Sequence, residues 1–335
     1  MDKAELYLPR ERFGMQLLSD LAKYASVKTL PIPWNPAFRF PTMNGTYDLF
    51  FANMTFSYDL EIIHRMPNWR KKVGYSICYI DEFFNKTIDQ YPNFLPVLRK
   101  FDCIVLHCAS TVPEFFKRTG LKAVGVRAGI DMLRFFPGTR DQSRVIEIHQ
   151  MGNVPKGEHE KYKELRDKDG WFYLYDTLHP RAFIEYRSHR QNLAKRLSRT
   201  LFFTVNPAKF NRRLDTGKQD EIGFRYFEGA AGGTVMIGKV PQTPDYKEFF
   251  PWEDAVIELP GDQDQIPDFL RELRKDTDRL ERISYDNVLG SLRRHDFAYR
   301  WEEILKVAGL EPLPALQKRR EELARLEKEW IAAHS

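Results

Sequence analysis

Cysteine is scarce in this sequence: three residues among 335, Cys78, Cys103 and Cys108, each inside a hydrophobic stretch. An odd number so placed argues against a disulfide framework and predicts reduced, buried and inert thiols. The eight histidines form no H-E-x-x-H and the cysteines no C-x-x-C, so a structural zinc site has no support. Long apolar runs are missing too. None approaches the roughly 18 to 20 residues of a membrane span, and the opening MDKAELYLPRER has no apolar signal-peptide core. The expectation is a soluble, cytoplasmic protein, with peripheral contact at the inner membrane face left open. A P-loop, a G-x-S-x-G elbow and a G-x-G-x-x-G fingerprint are absent, and the last absence argues against a nicotinamide dehydrogenase.

What is present points to an ordinary globular chain of two domains, since its length exceeds what one hydrophobic core usually supports. Lys plus Arg exceed Asp plus Glu by 52 to 47. That surplus is too small for a dedicated nucleic-acid binder, so no nucleic-acid partner is expected, yet it suits a basic cleft for an anionic ligand.

Short β-rich runs alternate with segments of helical period, the pattern of parallel sheets covered by helices. Strands are predicted over 47–53, 71–80, 101–109 and 123–129, with helices in LEIIHRMPNWR and TVPEFFKRTG. Ser110 or Thr111 is the expected cap of the second helix, and Gly120 its end. The Gly- and Pro-rich GIDMLRFFPGTRDQSR marks a boundary near 138. Beyond it, strands are predicted over 145–152, 171–177, 201–207, 234–240 and 254–261. Helices are predicted in GEHEKYKELRDKD, over 189–200 and at the C-terminus, where Leu316, Leu323, Leu326 and Trp330 should face inward. The domains are thus 1–138 and 139–311, with a last helix, about 312–335, able to pack back on the first.

The most informative stretch starts at Asp220, D-E-I-G-F-R-Y-F-E-G-A-A-G-G-T-V. Phe224, Phe227 and Ala231 fall at i, i+3 and i+7, so a helix starting near Gly223 would bury one apolar stripe, with Glu228 off that stripe and one turn from Arg225. An exposed Arg225–Glu228 pair would be the plainest account of those two charges.

This stretch resembles the E-x7-E region of GT-B glycosyltransferases, particularly glycosyltransferase family 4 and the CgeB-like group 1 enzymes. Asp220 aligns with the first acid, where the pattern has Glu; Gly223 aligns with the loop glycine, Glu228 with the second acid and Gly233 with the later glycine. GIDMLRFFPG is similar to the family's G-V-D-x-x-x-F-x-P junction, and HDFAYRWEEIL to its closing H-x-W-x-x-R-x-x-E-I-L. The resemblance spans about 130 through 305. It implies two Rossmann-like α/β/α domains with parallel sheets facing across a cleft. The first would bind the acceptor and the second a nucleoside-diphosphate sugar, UDP- or GDP-linked, with no metal or other cofactor.

The resemblance also assigns roles. Glu228 would bind ribose hydroxyls and Asp220 would face the donor sugar, a role adjacent Glu221 could take. Backbone N–H groups around Ile222, Gly223 and Phe224, at the positive end of a helix dipole, would receive the diphosphate. HQMGNVPKGEHE resembles the family's G-R-x-x-x-x-K-G loop, which brings Gly152, Asn153 (where the family has Arg), Lys156 and Gly157 to the phosphates. From position alone, Lys209, Arg212, Arg213, Lys218 and Arg225 are candidate phosphate cations, and Asp176, Thr177 and His179 end a strand where such folds touch the base. In the first domain Asp81, beside Glu82, and His107 are candidate bases for the acceptor hydroxyl, with helix capping and a satisfied core histidine as the competing readings. Asn53, Thr55 and the Phe13-Gly14 pair are further candidates at the cleft.

Asp262-Gln-Asp264 spells D-x-D, but it follows a strand and precedes IPDFLRELRK, so capping explains it and no metal site is assigned. Asp276-Thr-Asp278 is read as part of a helical pattern. The expected activity is hexosyl transfer to an unidentified glycan, lipid-linked or protein acceptor, with retention if the chain follows family 4. A sugar-nucleotide epimerase and a catalytically silent nucleotide-sugar-binding scaffold stay open as alternatives.

Overall fold

The computed structural model describes residues 4–8, 27–31, 45–54, 60–90, 94–139, 143–153, 155–176 and 186–335. They form two compact units, each built on a parallel sheet. The first comprises Met1–Ala128, Arg213–Gln219 and Phe297–Glu321; the second comprises Gly129–Arg212, Asp220–Asp296 and Glu322–Ser335. The division therefore falls at 128/129 rather than near 138. Residues 297–311 group with the first unit, and the last helix, Pro314–Ala333, is shared between the two groupings. Such assignments rest on tertiary contacts, which local composition does not encode.

In the first unit, β1 (Ala4–Leu8), β2 (Val27–Pro31), β3 (Tyr47–Met54), β4 (Val73–Ile80), β5 (Cys103–Leu106) and β6 (Ala123–Gly125) lie in the order β2-β1-β3-β4-β5-β6. From Leu49 to Met54, β3 is buried without alternation, as expected of a parallel strand covered on both faces. Phe50, Trp69 and Phe101 pack together on one side, with ring centroids 4.7 and 4.9 Å apart about Trp69. The later segment 297–321 completes this unit: Trp301 lies 5.0 Å from Phe51, and Arg300 Nε donates to Ala128 O at 3.1 Å. The helix Val112–Thr119 ends at Gly120 in the left-handed conformation (φ 68°), as its sequence indicates. Its start differs from expectation. Thr111 makes no side-chain cap; its hydroxyl donates to Phe83 O at 2.8 Å because it is buried rather than exposed at the helix mouth.

In the second unit, β7 (Ile146–Met151), β8 (Tyr173–Asp176), β9 (Thr200–Val205), β10 (Val235–Gly238) and β11 (Ile257–Glu258) lie in the order β11-β10-β9-β7-β8. Ile148, Phe202, Val235 and Ile237 join Tyr162 and Leu165 of the helix Lys156–Asp169 and Ile283 of the helix Thr277–Arg294 in one core. Leu316, Leu323, Leu326 and Trp330 are all buried, as the spacing predicts. Asp262 caps the turn before the helix Ile266–Lys275, accepting from Asp264 N at 3.1 Å, and Asp264 pairs with Lys161. Asp276 does not lie within a helix. It is the N-cap of Thr277–Arg294, accepting from Arg279 N.

The three cysteines are free and buried. Among the described residues no helix is long and apolar enough to cross a membrane, and no group of three or more His, Cys, Asp or Glu side chains could hold a metal ion.

Candidate functional site

The motif folds as a loop followed by the helix Phe224–Ala231, with Gly223 as its N-cap. Ala208 N donates to Glu221 O at 2.9 Å, which ties the start of the motif to the segment leaving β9. Tyr226 Oη donates to the carbonyl of Lys239, just beyond β10, at 2.6 Å. The N-terminus of this helix thus stands at the carboxyl ends of β9 and β10, where ligands of open parallel sheets collect. Its first turn lies at the positive end of the helix dipole.

The helix is enclosed on both sides, which the single predicted apolar stripe does not anticipate. Gly229 lies so close to the sheet that a Cβ there would meet Phe203 and the Met236 side chain at 2.8 and 2.9 Å. The helix Thr277–Arg294 covers the opposite face. Small residues at 229–231 permit this, and residues 226–231 are buried as a result. Glu228 is among them, so the alternative account of Arg225 and Glu228 as an exposed surface pair does not hold.

Both oxygens of Glu228 are engaged. Oε1 accepts from Arg190 of the helix Tyr186–Leu197, and Oε2 accepts from Arg225. Burial on its own would raise this carboxyl, but Arg225 and Arg190 outweigh it and hold the group below the ordinary glutamate value. Arg190 is pulled down by burial, with Glu228 opposing and Arg225 and Arg134 reinforcing the fall. Sequence reasoning missed Arg190, although a signal was there: it shares one helical stripe with Leu193 and Leu197, all buried. A guanidinium on an apolar stripe requires a buried counter-charge.

The other predicted residues separate into groups. Ile222 and Glu221 are fully buried, Phe224 and Arg225 are half-buried, and Asp220 accepts weakly from Gln242 N at 3.4 Å. Gly223 has an ordinary φ of −77°, and a Cβ there would make only van der Waals contact with Asn206 and Ala208, so this turn does not demand glycine. Gly152 does: its φ is +82°, immediately after β7. Asn153 and Lys156 are exposed, Lys156 as the first residue of its helix. Gly157 is partly buried beside Gln263. A Cβ there would meet the end of the Gln263 side chain at 1.6 Å, so a larger residue would require that side chain to move. Lys209 turns the chain with a φ of 53°, and Arg212 is exposed. Arg213 and Lys218 belong to the first unit, along with Gln219. Gln219 Oε1 accepts from Asn85 N and its Nε2 donates to Thr111 Oγ1, both at 2.9 Å. Asp176 closes β8. Thr177, His179, Thr55, Phe13 and Gly14 lie outside the described residues.

In the first unit the structure brings two candidates together. Asp81 follows β4 and His107 follows β5, and His107 Nδ1 lies 3.9 Å from Asp81 Oδ1 and 3.2 Å from Tyr79 Oη. Arg127 closes the group, donating to His107 O at 3.5 Å and Ser110 Oγ at 3.3 Å. Burial, then Asp81, pushes the Tyr79 phenol well above its ordinary range. Asn53, buried near the end of β3, pairs in the sheet with Tyr79. Tyr79 and Arg127 are further residues the sequence left unread.

A cavity of about 450 Å³ lies elsewhere in the second unit, lined by Arg144, Ser198, Val235, Ser284 and Trp330. Arg144, Ser198 and Val235 sit at the amino ends of β7, β9 and β10. It is therefore at the opposite edge of the sheet from the motif loop.

Residues 151–306 match the glycosyl transferase-like family model, a little under half of the chain. The search of curated proteins returned no match. Among solved structures, an alpha-glucosyltransferase in complex with UDP-glucose and DNA containing an abasic site aligns over 92% of this chain and 99% of its own, with TM-score 0.57 and 10% identity. The alpha-glucosyltransferase in complex with UDP aligns over the same shares, with TM-score 0.57 and 9% identity. At such identities the likeness is one of fold, two Rossmann-like α/β units.

Proposed function

We propose that this chain, a glycosyltransferase of the GT-B fold, transfers a sugar from a nucleoside-diphosphate sugar to an acceptor hydroxyl. The observation that carries the reading is the motif helix Phe224–Ala231. It lies within the family-matched segment, its N-terminus stands at the carboxyl edge of the second sheet, and a cationic cluster lies around Glu228. A departing diphosphate develops charge that the N–H groups of such a terminus, with a nearby guanidinium, stabilise most in the transition state. UDP is the first donor nucleotide to test, because the aligned alpha-glucosyltransferase holds it; GDP is the second.

Metal independence is part of the proposal, since the helix terminus and arginines supply the positive charge. Retention of anomeric configuration follows from the likeness to family 4. In the first unit the Asp81–His107 pair, oriented by Tyr79, is the group to accept the proton of the acceptor hydroxyl should the reaction invert. The acceptor is a glycan, lipid-linked or protein hydroxyl, and peripheral contact with a membrane is compatible with a lipid-linked one.

Thermal-shift measurements with UDP, GDP and dTDP test the reading, because a ligand of the native state raises the melting temperature by mass action. One of them is expected to do so in the presence of EDTA, and the matching sugar nucleotide to be hydrolysed slowly to free sugar, whose anomer NMR then identifies. No shift with any of the three would defeat the proposal. Turnover that yields an epimer without an acceptor would favour the epimerase alternative.

A further inference from the structure

Glu228 and Arg190 are both 1% exposed, whereas Arg225 is 24% exposed. The guanidinium of Arg190 also lies over the Phe135 ring, 4.8 Å from its centroid. The three charges therefore form a line from the interior outward: Arg190 on its aromatic base, Glu228 bridging, and Arg225 at the surface in the first turn of the motif helix. Arg190 and Glu228 lie in nearly dry surroundings, where charges act over longer distances than in water. An arginine in a protein does not shed its proton, so Arg190 is a permanent charge that keeps Glu228 ionised and fixes its rotamer. A buried ion pair returns little net stability compared with apolar packing, which makes its presence here weak evidence for a purely structural role.

We infer that Arg190 is a positioning residue of the donor site: acting through Glu228, it aims the Arg225 guanidinium at the donor's diphosphate. Glu228 then serves as the bridge between two arginines, with its oxygens already occupied by N–H donors. This rests on the proposed function, since it takes the helix terminus to be where a nucleoside diphosphate lies.

The test measures the affinity of the whole chain for UDP and for inorganic pyrophosphate, which carries the two phosphates without the ribose, alongside the melting temperature. Arg190→Met should lower the melting temperature and weaken both ligands, because Glu228 is left half-paired. The double variant Arg190→Met/Glu228→Gln removes the orphaned charge. It should recover most of the melting temperature while still binding UDP and pyrophosphate at least about tenfold more weakly than wild type. Arg190→Lys, which keeps the cation but not the fork, should weaken both ligands several-fold at a nearly unchanged melting temperature. If pyrophosphate affinity stays at the wild-type level in the double variant and in Arg190→Lys, Arg190 only neutralises Glu228 and the inference fails. That result leaves the proposed function intact, whereas a wild-type protein that binds neither UDP nor any other nucleoside diphosphate overturns both.

Discussion

Arg190 and Glu228 stand 38 positions apart in the sequence, and in the folded chain they form an ion pair closed off from solvent. The pair joins the helix Tyr186–Leu197 to the motif helix Phe224–Ala231 through charge. Its partner Arg225, one turn back on the motif helix, carries that charge to the surface.

A pH dependence follows. The folded-state value of the Glu228 carboxyl lies below its ordinary value of 4.5, so the stability it contributes is fully present above that pH and lost as the pH falls through the folded value. The stability gap between wild type and Glu228→Gln, from urea titrations, should be widest near about pH 7 and narrow toward about pH 3. A gap that is constant with pH would mean that Glu228 is not ionised in the folded protein.

Removing the carboxylate outright is harsher. Glu228→Ala leaves Arg190 buried without its counter-charge and should cost about 3 to 5 kcal/mol. Chemical denaturation checks this; a loss under 1 kcal/mol, as expected for an exposed pair, would contradict the burial described here.

The Asp81–His107 pair gives a prediction for the other unit. Under the proposed function, His107→Ala should slow donor turnover about 100-fold or more if the imidazole moves a proton, while UDP binding stays at the wild-type level. Full turnover in that variant would identify His107 as a core histidine satisfied by Tyr79.

Asp254 is a purely structural case. It accepts two hydrogen bonds from Arg279, both at 2.8 Å, and a third from Arg282 at 2.5 Å, and its backbone is left-handed with φ 55°. Asp254→Ala loses charge-assisted bonds at a position alanine tolerates poorly and should destabilise the protein by about 2 kcal/mol, measured in urea. Asp254→Asn should cost less, because asparagine adopts this conformation readily.

The cysteines supply a probe of opening. Burial pushes the thiols of Cys78 and Cys103 above their ordinary range, which disfavours the reactive thiolate. In native protein all three thiols should resist a disulfide reagent and then titrate together on unfolding. Rapid labelling of one in native protein would reveal local opening near it.

Much of this architecture is legible in the chain. The run YDLFFAN reads as a strand over 47–53 and forms one over 47–54, because a strand covered on both faces leaves a continuous apolar signature. Gly120 and Asp262 announce their turns through local chemistry that tertiary contacts do not override. The motif helix was visible by spacing, but its enclosure was not. The same Gly-Ala-Ala run that lets a helix sink between a sheet and another helix also reads as weakly hydrophobic. Arg190 and Arg127 went unread because each takes its meaning from groups distant in sequence, a carboxylate at 228 and a carbonyl at 107.

The chain enters the first unit three separate times, and Trp301, from the last of these visits, supplies the aromatic lid over Phe51 of β3. A chimaera made by joining residues 1–128 of this protein to the remainder of a relative would inherit that lid from a foreign sequence, and Gln219, which grips Asn85 and Thr111, would be foreign as well. Recombination that preserves this half must carry residues 213–219 and 297–321 along as passengers, so it cannot be exchanged whole by a single crossover.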